Sequence, residues 1–242
     1  MALEPRPPDF DVPSDFDVPS DFDVPSDFDV PSDFDVPSDF DVPSDFDVAV
    51  VGAGLAGAAA AWASSSRGLS VLLLEQFPIG HRRGSSHGSA RIFRRAYPDQ
   101  LYVRLTGESA ELWDELQLET GAKLFRQTGG LDHGAQRGTH LIDECLTGAG
   151  VPHEILSPLE AARRWPGMRF AGPVVFHPQA GVVDAAATVT ACVEASKRRG
   201  ALVLDGTPVT SMDVRDDHVV VHSAGRVWIG RASCRERVCY VV

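Results

Sequence analysis

Six residues, Gly52-Ala53-Gly54-Leu55-Ala56-Gly57, constrain this chain more than any others because of what flanks them. Residues 47 to 51 form a short apolar, β-branched run before the glycines. An Ala-rich stretch from 55 to 67 follows and stops at Gly68, and SVLLL (70 to 74) then closes at Glu75. That order predicts strand, glycine turn, helix and second strand, a parallel βαβ unit over 47 to 75. Gly52 permits the tight turn, Gly54 lets backbone approach a pyrophosphate, and Gly57 lets helix pack on strand. Unpaired N–H groups at the helix N-terminus favour an anion there. Glu75, 18 residues beyond Gly57, is placed for a ribose diol. The pattern predicts dinucleotide binding; a glycine-rich packing turn is the alternative.

The rest of the chain narrows the class. A unit Phe-Asp-Val-Pro-Ser-Asp recurs with Phe at 10, 16, 22, 28, 34, 40 and 46, and 14 Asp fall within it. Without these, and without the cancelling Glu4 and Arg6, 19 acidic and 21 basic residues remain, so the net charge of −12 belongs to the repeat. The folding part is near neutral, which argues against a nucleic-acid-binding domain. Proline at every sixth position interrupts helix and sheet, so residues 1 to 46 are expected to be a disordered Asp-rich repeat, either without a selected role or a multivalent ligand with Phe anchors. Cys145, Cys192, Cys234 and Cys239 have neither disulfide-framework nor zinc spacing, and no His pair has metal-ligand spacing, so no metal is expected and a reducing, cytoplasmic setting fits. The longest apolar run, 16 residues from 48 to 63, is glycine-broken and too short for a membrane span.

Helices are predicted at 100 to 119, 135 to 146, 158 to 165 behind the capping box Ser157-x-x-Glu160, and 184 to 199. Strands are predicted at 123 to 127, 130 to 133, 174 to 177, 201 to 204, 209 to 214 and 218 to 222. The expected fold is α/β: a Rossmann-type domain with an inserted antiparallel-sheet substrate domain, occupying 47 to 228. Residues 229 to 242 (IGRASCRERVC onward) resemble a translated library adapter and are set aside as non-native, so the chain is expected to be a C-terminally truncated fragment. Trp113, Trp165, Cys145 and Cys192 read as packing residues, and Arg82, Arg83 and Arg95 as solvated surface charge.

A long polar, basic stretch, HRRGSSHGSARIFRRAY (81 to 97), follows the βαβ unit where a nicotinamide-binding domain would continue with another alternating unit. With DVAVVGAGLAGAA, VLLLEQF, RQTGGL (126 to 131) and RRWPG (163 to 167), it resembles the FAD-dependent amine oxidases of the sarcosine oxidase, N-methyltryptophan oxidase and sarcosine/pipecolate oxidase group. The resemblance implies FAD as cofactor, held by Gly52, Gly54, Leu55 and Gly57 at the pyrophosphate and Glu75 at the ribose, with His81 and Ser85 beside it. It implies that His87 and Arg91 lie against the flavin ring, and that Arg94 binds the substrate carboxylate. A guanidinium beside the ring favours the negative charge of reduction, and a second makes a bidentate clamp. For His87 a structural role stays open. The implied activity is oxidation of a secondary amino acid such as sarcosine to an imine, with dioxygen as electron acceptor and hydrogen peroxide as product. A dehydrogenase passing electrons to a carrier, and an inactive fragment acting as a binding module, are the alternatives. The implied protein is a monomer acting on a small-molecule amine, with no nucleic-acid or membrane partner, cytoplasmic or alternatively peroxisomal. The family's second flavin-binding segment, flavin-linking cysteine and two lysines have no counterpart here, and the chain alone is expected to be inactive.

Overall fold

The computed structural model describes residues 45 to 223, 225 to 235 and 238 to 240. The hexapeptide array up to residue 44 lies outside them. Strand β1 (Asp45–Val51) begins inside the last repeat unit, two residues earlier than the hydropathy pattern suggests, because Phe46 has a partner. Its ring lies 6.2 Å from Trp228, and both side chains are buried.

Helix α1 (Leu55–Ser65) and β2 (Val71–Leu74) complete the expected βαβ unit, with β1 and β2 paired in parallel from Val48↔Val71 to Val51↔Leu74. Every residue of β2 is buried, as a strand covered on both faces requires, and each leucine there contributes about 1.5–3 kcal/mol of apolar burial. β3 (Arg91–Phe93), α2 (Gln100–Thr120), β4 (Phe125–Gln127) and β5 (Gly130–His133) follow. The helix expected over 135 to 146 is broken: a 3₁₀ turn (Ala135–Arg137) precedes α3 (Thr139–Gly148), because Gly138 between them sits at φ 59°. After β6 (Glu154–Leu156) comes α4 (Pro158–Arg164), whose Ser157–Glu160 capping box is formed in both directions. β7 (Val174–His177), β8 (Gly181–Val183), α5 (Ala185–Arg198), β9 (Leu202–Leu204), β10 (Val209–Val214), β11 (Val219–Ser223), β12 (Arg226–Arg235) and β13 (Val238–Tyr240) complete the order.

The largest sheet runs β10-β11-β12-β1-β2-β9, with β13 on β12; β12, β1, β2 and β9 are parallel neighbours, and β10 and β11 are antiparallel. Residues 229 to 235, set aside on sequence grounds, therefore form the strand beside β1, paired from Asp45↔Ile229 to Val51↔Arg235. Two three-stranded sheets, β3-β8-β4 and β5-β7-β6, are antiparallel throughout and form the inserted part of the mixed α/β architecture. The main core lies where α1 meets α5: Ala58, Ala61 and Trp62 pack with Val189, Cys192, Val193 and Ala195, closed by Leu116 and Leu124. Burial raises the Cys192 thiol to about 12, in keeping with a packing role. Among the described residues no helix is long and apolar enough to cross a membrane.

Candidate functional site

The turn from β1 into α1 is fixed by its glycines. Gly52 stands at φ 96°, where a side chain is strained, and its N–H donates to the Leu74 carbonyl at 2.7 Å, tying the turn to β2. Gly57 faces the same turn: a Cβ there would lie 1.9 Å from the Gly52 carbonyl oxygen. Gly54 is the N-cap of α1, and no side chain caps the helix, so its first-turn N–H groups are left to a ligand or water. These groups open on a small, partly open cleft lined by Ala53, Gly54, Gly80, His81, Gly84, Ser86 and Val189.

Glu75 closes the far side of the turn from the end of β2. It is 4% exposed, and its carboxylate is already engaged: Oε2 accepts from Ala53 N–H at 2.7 Å, Oε1 from Phe77 N–H at 3.0 Å, and His81 Nε2 lies 3.3 Å from Oε1. A carboxylate has lone pairs beyond these, so Glu75 can shape the glycine turn and still accept from a diol. His81 is braced by Phe77 edge-to-face at 5.0 Å, and its Nδ1 accepts from Arg83 N–H at 3.0 Å. An uncapped helix start, a turn whose one side chain between Gly52 and Gly54 is the Ala53 methyl, and a carboxylate at the strand end fit the pyrophosphate and ribose of a dinucleotide such as FAD.

The polar stretch after Glu75 contains β3 where sequence suggested only loop. It is pinned to α5 by the Gly88 carbonyl, which accepts from Ala185 N–H at 3.1 Å and Ala186 N–H at 3.3 Å. This holds the half-buried His87 next to the start of α5, while Ser85 is exposed and its neighbour Ser86 lines the cleft. Arg91 is exposed and donates to the Ser85 carbonyl at 3.2 Å. Thus Gly52, Gly54, Leu55, Gly57, Glu75 and His81 are brought together, Ser85 and Arg91 form a second small group, and Arg94 lies in a third. Arg83 stacks at 4.5 Å over Phe77 on the surface. Arg95 is not solvated surface charge: half-buried, it donates to the Gln179 side chain at 3.3 Å and the Val103 carbonyl at 3.4 Å, with its Nε buried and unpartnered among the described residues.

Arg94 meets residues that sequence reasoning missed. Its Nη1 lies 3.6 Å from Asp132 Oδ1, which also accepts a hydrogen bond from Arg137; His177 Nε2 lies 3.4 Å from Asp132 Oδ2. The strand pairing explains the cluster. Gly130 and Asp132 share a face of β5, and Gly130 opposes His177 on β7. A side chain at 130 would press within 2.9 Å of His177 Nε2, so glycine makes the room. Burial pushes the Asp132 carboxyl up, but the His177 and Arg137 hydrogen bonds and the charges of Arg137 and Arg94 outweigh it and hold the group below the usual carboxylate value. The one signal in sequence was an aspartate between the strand residues Leu131 and His133.

The family model described as FAD dependent oxidoreductase matches residues 47–241. The chain is 36% identical over 183 residues to a monomeric sarcosine oxidase of Bacillus sp. (strain NS-129), covering 73% of this chain and 47% of that protein. It is 37% identical over 167 residues to a peroxisomal sarcosine oxidase of Mus musculus, covering 67% and 43%. An N-methyl-L-tryptophan oxidase of Yersinia pestis (strain Pestoides F) is 33% identical over 171 residues, covering 68% and 46%. Among solved structures, an L-proline dehydrogenase from P. horikoshii superposes with a TM-score of 0.69 at 25% identity, over 80% of this chain and 53% of that one. NikD, an unusual amino acid oxidase, superposes with a TM-score of 0.68 at 25% identity, over 80% and 51%. The chain spans about half the length of the curated relatives it matches.

Proposed function

The chain belongs to the FAD dependent oxidoreductase family, and from that premise we propose that its protein oxidises a secondary amino acid, sarcosine or a similar N-methyl amino acid, to an imine. FAD, when bound, accepts the hydride lost from the carbon beside the amine nitrogen. Gly52, Gly54, Leu55 and Gly57 would hold its pyrophosphate and Glu75 its ribose, with His81 and Ser85 beside the cofactor and His87 and Arg91 toward its ring. Arg94 would bind the substrate carboxylate. The imine is released to hydrolyse in water, and the electrons pass to dioxygen to give hydrogen peroxide.

The observation that carries this reading is Arg94. Among the described residues it donates no hydrogen bond, so its fork of donors is free for a carboxylate, while Asp132 and the Tyr97 ring, 5.0 Å from the guanidinium carbon, hold it in place. The uncapped start of α1 behind the glycine turn and the 36% identity to a sarcosine oxidase support it. The setting we propose is cytoplasmic, with a peroxisome as the alternative that the mouse relative's name raises.

The test is a peroxide-coupled assay on the FAD-loaded full-length protein with sarcosine, N-methyltryptophan and glycine. Peroxide from the N-methyl substrates, with Arg94→Ala costing about 1.5–3 kcal/mol of carboxylate binding, is the expected result. Turnover that is indifferent to Arg94, or that requires a nicotinamide cofactor, would overturn the reading. A flavin-dependent dehydrogenase is the second reading, favoured by the likeness to an L-proline dehydrogenase. Dye reduction without peroxide in the same assay selects it.

A further inference from the structure

Two guanidinium groups, Arg94 and Arg137, share one buried carboxylate. Asp132 is 5% exposed, and its hydrogen-bonded contacts go to Arg137 and His177, the latter 1% exposed. Toward Arg94 it offers charge only: 3.6 Å is outside hydrogen-bond reach, and both arginines are about one-third exposed. The ring face of Tyr97 supports the guanidinium as well. Of the two arginines and the aspartate, one positive charge is left over. Arg94 is thereby held without its donors being consumed.

We infer that Asp132 is a positioning residue, which orients Arg94 for a carboxylate and, by neutralising Arg137, leaves the site one net charge that suits an amino acid with a single carboxylate. This rests on Arg94 being the carboxylate contact proposed above. With a neutral residue at 132 nothing opposes the two guanidinium groups, and their repulsion turns Arg94 toward water. The site would then be looser and more cationic, so it would lose affinity for a monocarboxylate and shift its preference toward a dicarboxylate.

The experiment uses the full chain labelled with ¹⁵N-arginine, the Arg94 Nε–Hε resonance assigned with Arg94→Lys, and sodium acetate and succinate as probes. In the parent chain acetate is expected to shift the Arg94 resonance saturably and to bind better than succinate. In Asp132→Asn the resonance is expected to move to the position and width of an exposed arginine such as Arg104, acetate binding to weaken about tenfold, and the preference to turn toward succinate. Asp132→Glu restores the charge and is expected to recover acetate binding in part. Should Asp132→Asn fail to fold, Arg137→Gln gives the converse test: with Asp132 left to Arg94 alone, the two pair directly and the acetate response is lost. An Arg94 resonance and acetate affinity unchanged in Asp132→Asn, or unchanged in Arg137→Gln, overturns the inference. An Arg94 resonance that ignores acetate in the parent but still moves in Asp132→Asn overturns the carboxylate contact and leaves the positioning by Asp132 standing.

Discussion

Gly57→Ala isolates one methyl group. Because its Cβ would stand 1.9 Å from the Gly52 carbonyl oxygen, backbone rather than a flexible side chain has to yield, and overpacking of this kind costs about 1–3 kcal/mol. Denaturant unfolding is expected to show that loss, and FAD binding is expected to weaken with it, because the displaced carbonyl belongs to the turn proposed to hold the pyrophosphate. Glu75→Gln changes no shape. It replaces one acceptor oxygen by an NH₂ facing either Ala53 N–H or Phe77 N–H, so a buried donor loses its partner and stability falls by about 1–3 kcal/mol. A melting profile unchanged in Glu75→Gln would show that the carboxylate does not brace the turn. Gly52, Gly57 and Glu75 were legible in the sequence because their geometry is local to one βαβ unit. Asp132 and His177 were not, because the two strands carrying them meet only in the β5–β7 register, 45 residues apart in chain numbering.

α5 shows the same division between local and distant signals. Asp184 accepts from Ala187 N–H at 2.9 Å as its N-cap, Gly200 at φ 88° follows its end, and eight of its residues are buried. Cap, periodicity and glycine stop made it readable from residue types alone. Asp184→Ala is expected to cost about 0.5–2 kcal/mol in equilibrium unfolding, the usual worth of such a cap. FAD affinity is expected to fall as well, since Val189 of α5 lines the cleft and the start of α5 anchors the His87 segment through the Gly88 carbonyl. Equal FAD affinity in the two proteins would separate α5 from the site. The strands that escaped reading, β3, β6 and β8, are three residues each, too short for alternation to register. They exist because antiparallel neighbours take up their backbone groups. β12 escaped for a different reason: its composition from residue 229 looked foreign, and its pairing with β1 and β11 places it.

At the scale of the molecule, stability is tied to pH and to cofactor. Asp132 has a folded-state pKa below its ordinary value, so its ion pairs stabilise the chain at neutral pH; that contribution is complete above the ordinary value of 3.8 and disappears as pH falls through the lower folded one. Urea unfolding across this acid window is expected to be steeper with pH for the parent chain than for Asp132→Asn; equal slopes would show that Asp132 carries no such linkage. The cofactor acts through the same equilibrium. A ligand that binds the folded chain alone adds RT ln(1 + [L]/Kd), about 2.7 kcal/mol at a hundredfold excess over Kd. For a domain of this size each kcal/mol raises Tm by about 2–4 °C, so saturating FAD is expected to raise the melting temperature by roughly 5–10 °C. The glycine turn is the only part of the cleft that Gly57→Ala alters directly, so that variant is expected to show a much smaller rise while melting as a single transition. Circular dichroism melts with FAD, with NADH and with neither give the comparison. A rise with NADH and none with FAD would place the wrong dinucleotide in the cleft, whereas an FAD rise that Gly57→Ala leaves intact would put the cofactor somewhere other than the β1–α1 turn.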